Sequence, residues 1–141
     1  MSGLSSYSVE KESGILIQHF RGPVNMDDII VGWDSLFRRN IVNHNLSGII
    51  SDYTFASLEV EMKDLLSMKK FFLSNAKLLK NLRLAQVIDS PKIVLPQLFE
   101  NENPDFSTRA FSTLDAAKKW ILETGDDNSA DKSGSTSFPA V

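Results

Sequence analysis

Apolar positions along the chain fall into two rhythms, and the switches between them lay out the fold. Residues 46–53 form a short apolar run bounded by turn residues and followed by a three-four pattern, the signature of a buried central strand. Before it, residues 7–9 alternate and residues 15–20 form a β-rich run opened by Gly14, so the two pair as a hairpin over residues 10–13. Gly22 and Pro23 are expected to stop the second strand. Asn25 reads as an N-cap, Asp27 and Asp28 as first-turn anions, and Arg38 and Arg39 as cations near the far end of a helix. Met26, Ile29, Ile30, Trp33, Leu36, Phe37 and Ile41 make its apolar stripe.

After the central strand, Leu58, Met62, Leu65, Leu66, Phe72, Leu73, Ala76 and Leu79 predict one long helix over about residues 59–79. Residues 82–88 read as a third β-rich run closed by Asp89-Ser90-Pro91, where serine before proline marks a further helix start. Pro96 predicts a kink or fresh start in that helix. Residues 107–111 form a last short strand, and Ser112 or Thr113 caps a final helix carrying Leu114, Ala117, Trp120 and Ile121 up to Gly125. The order β-β-α-β-α-β-α-β-α predicts an α/β domain with a mixed, mostly parallel sheet of about five strands and helices packed on it. Residues 1–6 are expected to be flexible, residues 7–125 to form the domain, and residues 126–141, rich in Asp, Ser, Asn and Gly, to be a disordered tail.

Composition narrows the chemistry. The 141 residues include 42% apolar side chains, enough for one continuous core. Fifteen basic against 18 acidic residues give a net charge of -3, which offers no field for nucleic acid. The absence of cysteine removes disulfides, thiolate nucleophiles and cysteine-ligated metals together. No secretory signal or spanning apolar run is visible, so a cytoplasmic location is expected. No phosphate-binding glycine loop, nucleophile elbow or zinc-helix motif occurs, so neither cofactor nor metal is expected, and an enzyme is the least favoured class.

In an open parallel sheet, the strand carboxyl ends and the loops after them form a crevice. For the central strand this region is residues 52–59, which makes Asp52, Tyr53, Thr54, Phe55 and Ser57 the expected partner- or ligand-binding surface, with help from Asp89 and Ser90 at the next strand end. Two aspartates on one rim can bind a cation or shuttle a proton, but aspartate at a strand end also caps the following turn. Tyr53 and Phe55 offer aromatic area in a segment expected to be a loop, unless both rings fold back as lids on the core. Phe55, Phe71, Phe72, Phe99 and Phe106 can wall an apolar pocket or simply pack the core. Lys63, Lys70 and Lys77 recur every seven residues, with Lys69, Lys80 and Arg83 nearby, as a basic stripe suited to an acidic partner, a membrane surface or plain solvation. His19 and His44 have no second histidine at ligand spacing, and neither reads as a catalytic base.

Gly14 and Ile15 opening a strand that ends at Phe20-Arg21-Gly22, a strand ending in Asp52, and a closing Phe111-Ser112-Thr113-Leu114 with Ala117, Trp120 and Ile121 together resemble the STAS superfamily, in particular its STAS-like branch of small, largely uncharacterised bacterial proteins. The resemblance spans about residues 7–122 and implies a mixed sheet with helices. From the anti-sigma-factor antagonists of that superfamily it also implies a non-enzymatic module that binds partner proteins and is switched by phosphorylation. In those antagonists a strand ends in aspartate, followed at once by the phosphorylated serine, then serine or threonine and glycine. Asp52 matches the aspartate, Tyr53 takes the serine's place and no glycine follows, which leaves Thr54 and Ser57 as displaced phosphorylation candidates. The expected function is a non-catalytic regulatory or protein-interaction module acting through the loop after the central strand, on a protein partner or as a homodimer. The alternative is a carrier for a small apolar ligand or lipid.

Overall fold

The computed structural model describes residues 4–61, 63–88 and 106–123. The first strand, β1 (Leu4–Glu10), turns into β2 (Ile15–Asn25) through a loop closed by the Gly14 amide donating to the Glu10 carbonyl at 2.8 Å. Gly14 has φ +74°, a left-handed turn position that suits glycine. β1 begins three residues before the alternation at Tyr7, because ladder pairing with β2 carries Ser5 and Ser6, whose side chains give no apolar signal. Asn25 then caps α1 (Met26–Arg38) in a full capping box: its side chain accepts from the Asp28 amide, and Asp28 accepts from the Asn25 amide, both at 2.9 Å.

β3 (Gly48–Glu59) runs parallel to β2 and is followed by α2 (Asp64–Ser74) and the short α3 (Ala76–Leu79). β4 (Arg83–Val87), β5 (Ser107–Phe111) and α4 (Leu114–Leu122), capped by Thr113, complete the described elements. The sheet order is β1-β2-β3-β4-β5, antiparallel for the first pair and parallel for the other three. The expected α/β architecture with a mixed, mostly parallel five-strand sheet is the one observed. The helix expected around Pro96 lies outside the described residues, as do the tail at residues 126–141 and the helix end at Gly125.

Two apolar layers sandwich the sheet. On one face, α1 and α2 lay Ile29, Trp33, Leu36, Met68 and Phe72 over Leu16, Phe20, Ile49 and Leu84. On the other face, α4 lays Ala117, Trp120 and Ile121 over Ile15, Ile17, Ile50, Ala85 and Val87. Each fully buried aliphatic side chain contributes roughly 1.5–3 kcal/mol. Coverage on both faces explains why residues 15–18 and 48–53 are buried without alternation. Arg83 fixes α4 in place by donating to the Trp120 carbonyl at 2.5 Å while its guanidinium lies over the Trp120 ring, and Lys118 pairs with Glu10.

Two expectations need correction. β2 does not stop at Gly22-Pro23 but continues to Asn25, because β3 also continues and pairs with it through Pro23 opposite Ser57 and Asn25 opposite Glu59. The described part of β1 ends at Leu4 opposite Arg21, so among the described residues β2 has a strand on one side only beyond that point, where a proline costs little. The single helix expected from residue 59 is also absent. It starts at Asp64, since residues up to Glu59 are committed to the β ladder, and it breaks at Asn75, whose side-chain amide donates to the Phe71 carbonyl and competes with the helical pattern.

Candidate functional site

The stretch after Tyr53, read from sequence as a loop and a helix start up to Glu59, is strand. What makes this strand unusual is a change of register. His19 pairs with Asp52, but two residues later Arg21 pairs with Phe55, so β3 carries one residue more than β2 over that interval. Such a bulge turns consecutive side chains to the same side and commonly re-aims residues at functional sites. Tyr53 before it and Ala56 after it both pack toward the α1 and α2 layer, and the two residues between them, Thr54 and Phe55, are both exposed.

A cluster of polar and aromatic groups results on the same side of the sheet as α4. One oxygen of the Asp52 carboxylate accepts from the Thr54 amide at 3.0 Å and from the Thr54 hydroxyl at 2.5 Å. The other lies 3.2 Å from His19 Nδ1. The Asp52 side chain is 9% exposed and that of His19 36%, so the carboxylate is covered while the imidazole reaches solvent. In the tautomer that donates from Nδ1 to Asp52, Nε2 is left as an acceptor. Beside this pair, Phe55 is 71% exposed and the Arg21 guanidinium sits 6.0 Å from its ring centroid.

An aspartate that orients a histidine is half of a nucleophile-activating arrangement, but the hydroxyl at hand is bonded to Asp52 and not to the imidazole. Among the described residues the geometry is thus a polar cluster beside an exposed aromatic ring, with the Thr54 hydroxyl and the imidazole both held on Asp52. No group of three or more His, Asp or Glu with metal-binding geometry occurs among the described residues.

Of the residues singled out in the sequence, Asp52, Thr54 and Phe55 come together here, and Ser57 lies exposed further along the same ribbon, opposite Pro23. Tyr53 does not belong to the surface. It is 2% exposed on the opposite face, stacked on Phe20 with centroids 4.8 Å apart and planes at 14°. Burial pushes its phenol well above the ordinary range, with Ser51 acting in the opposite direction, and the hydroxyl makes no regular hydrogen bond. Asp89, Ser90 and Phe99 lie outside the described residues. Phe71, Phe72 and Phe106 pack in the α1 and α2 layer, so they do not wall one pocket with Phe55. Lys63, Lys69, Lys70, Lys77 and Lys80 are exposed along α2 and α3, but Arg83 is not part of that stripe because it lies on the α4 side. His19 and Arg21 were missed as site residues. The signal that finds them is the parallel register of β2 with β3, which sets Ile15 against Gly48 and therefore His19 against Asp52.

No family model matches the chain, and no curated protein matches it. Solved structures do. An uncharacterised protein of the DUF3478 family with a SpoIIAA-like fold, from Shewanella loihica PV-4, is similar at TM-score 0.59 with 13% identity, covering 86% of this chain and 97% of that one. The anti-sigma factor antagonist SpoIIAA in its unphosphorylated form aligns at TM-score 0.46 with 10% identity, covering 86% of this chain and 100% of that one. The first likeness, together with the sheet order, establishes a SpoIIAA-like, that is STAS-like, fold for this chain. No helix among the described residues is long and apolar enough to cross a membrane.

Proposed function

We propose that the protein is a non-catalytic, STAS-like regulatory module that binds a partner protein through the open face at the carboxyl ends of β2 and β3. The observation that carries this reading is the bulge, which sets Thr54 and Phe55 side by side on the face that already holds His19, Arg21 and Asp52. A phenylalanine left 71% exposed on a paired strand, flanked by an arginine, matches the aromatic-arginine composition of interface anchors. Because the backbone here is laddered on both strands, the anchor is pre-ordered and little conformational entropy is lost on binding. The site thus acts from a strand ribbon and its bulge, in place of the loop expected from sequence.

Phosphorylation would act on this same face. The Thr54 hydroxyl is held against Asp52, where a phosphoryl group meets a carboxylate, whereas Ser57 is exposed and carries no such contact among the described residues. Ser57 is therefore the better placed of the two hydroxyls to receive a phosphate.

The test is a pair of single substitutions, Phe55→Ala and Arg21→Ala, assayed for melting and for affinity to the protein recovered with the tagged chain from its own cells. Truncating an interface anchor typically costs about 2 kcal/mol or more, so the account expects affinity to fall by at least about tenfold while melting stays close to wild type. Unchanged affinity in both variants rules this face out.

A further inference from the structure

The two edges of the sheet are protected unequally. β5 carries Arg109 at its centre, so two β5 edges brought together antiparallel would set like charges opposite each other. β1 has no such guard. From Leu4 to Val9 it contains no charge, no proline and no bulge, and its one charge, Glu10, is already paired with Lys118 of the same chain. Among the described residues no element pairs with its outer edge, which leaves alternate backbone N–H and C=O groups directed outward.

The sequence of this edge is also self-complementary. About a two-fold axis at Tyr7, an antiparallel partner sets Ser6 against Ser8, Ser5 against Val9 and Tyr7 against its own copy. Ser6 and Ser8 point to the same side as Glu10, where hydroxyl pairs can hydrogen-bond across strands, while Val9, 43% exposed, and the half-buried Tyr7 point to the α1 side and would cover one another. No β1 position in this register opposes two like charges, and each Tyr7 ring carries the Arg39 guanidinium of its own chain 5.6 Å from its centroid.

We infer that the outer edge of β1 is the docking surface for a second copy of this chain, paired antiparallel about Tyr7 to join two five-stranded sheets into one. The inference concerns a different surface from the open face of β2 and β3 and stands or falls independently of it. The seam runs alongside that face, since Ser6 pairs with His19 and Leu4 with Arg21, while Asp52, Thr54 and Phe55 stand on β3, with β2 between them and β1.

The experiment is sedimentation equilibrium of the full chain at loading concentrations from about 1 μM to about 1 mM, a range that brackets dissociation constants from micromolar to millimolar. The wild-type chain is expected to reach twice the monomer mass within that range. The variant Ser6→Lys with Ser8→Lys places lysines opposite lysines across the two-fold at positions exposed in the monomer, and it is expected to remain monomeric with an unchanged circular dichroism spectrum. The variant Ser6→Lys with Ser8→Glu places lysine opposite glutamate twice and is expected to restore the dimer, which fixes the register. A wild-type chain that stays monomeric throughout overturns the inference. So does a dimer that survives the double lysine variant, or one that the lysine-glutamate pair fails to restore.

Discussion

Replacing Tyr53 with alanine is expected to destabilise the fold by about 3–5 kcal/mol, the cost of emptying a fully buried aromatic site. The ring is stacked on Phe20 and belongs to the layer under α1 and α2, so its loss removes both apolar area and an aromatic partner. The hydroxyl behaves differently from the ring. It is buried without a regular hydrogen bond, so Tyr53→Phe is expected to be neutral or to stabilise by up to about 1 kcal/mol. The two variants together separate a core residue from a functional phenol, which would lose activity in the phenylalanine variant. There is also a pH consequence. The folded state holds the phenol protonated above its usual value of 10.0, so above about pH 10 the unfolded chain loses a proton that the folded chain keeps, and stability falls as pH rises. Chemical denaturation of wild type and Tyr53→Phe on either side of that pH should show this part of the alkaline loss only in the wild type.

The second large effect is expected at Gly48, where β3 passes beneath α4. A Cβ built there would lie 2.6 Å from Ile121 Cγ2 and 2.8 Å from the Arg83 carbonyl oxygen. The isoleucine terminus can move, but the carbonyl belongs to the neighbouring strand, in the pairing of Gly48 with Arg83. Arg83 in turn holds the last turn of α4 through the Trp120 carbonyl, so relief at one contact strains another. Gly48→Ala is therefore expected to cost about 2–3 kcal/mol, the range of an overpacked core, and to lower the melting temperature by about 10 °C. A melting curve within about 1 °C of wild type would mean that α4 is free to lift from the sheet and that the layer beneath Trp120 is loosely packed.

The elements that were legible in the sequence are those whose signal is local. Asn25 with Asp28 announces the start of α1, and Thr113 before Leu114 announces α4. The parallel sheet follows from strands alternating with helical patterns. What was illegible depended on pairing. The Gly22-Pro23 dipeptide reads as a strand stop, and only the absence of a described β1 partner beyond Arg21 makes a proline acceptable in the continuing strand. The bulge at Thr54 and Phe55 contains no glycine that would mark it, so the face assigned to Tyr53 by counting from Asp52 cannot be extended to Phe55. Tyr53 and Phe55, both placed on the working surface by sequence, are sent to opposite sides of the sheet by that one inserted residue. His19 reads as an isolated strand histidine until the register sets it against Asp52.

The central claim, that a partner docks on the open face of β2 and β3, is tested most directly by amide chemical-shift mapping of the labelled chain titrated with its recovered partner. The account predicts that the largest perturbations fall on His19, Arg21, Thr54, Phe55 and Ser57, with α2 and α3 little changed. Perturbations confined to Lys69, Lys70, Lys77 and Lys80, with those five amides unmoved, would contradict it and place the working surface on the outer side of α2.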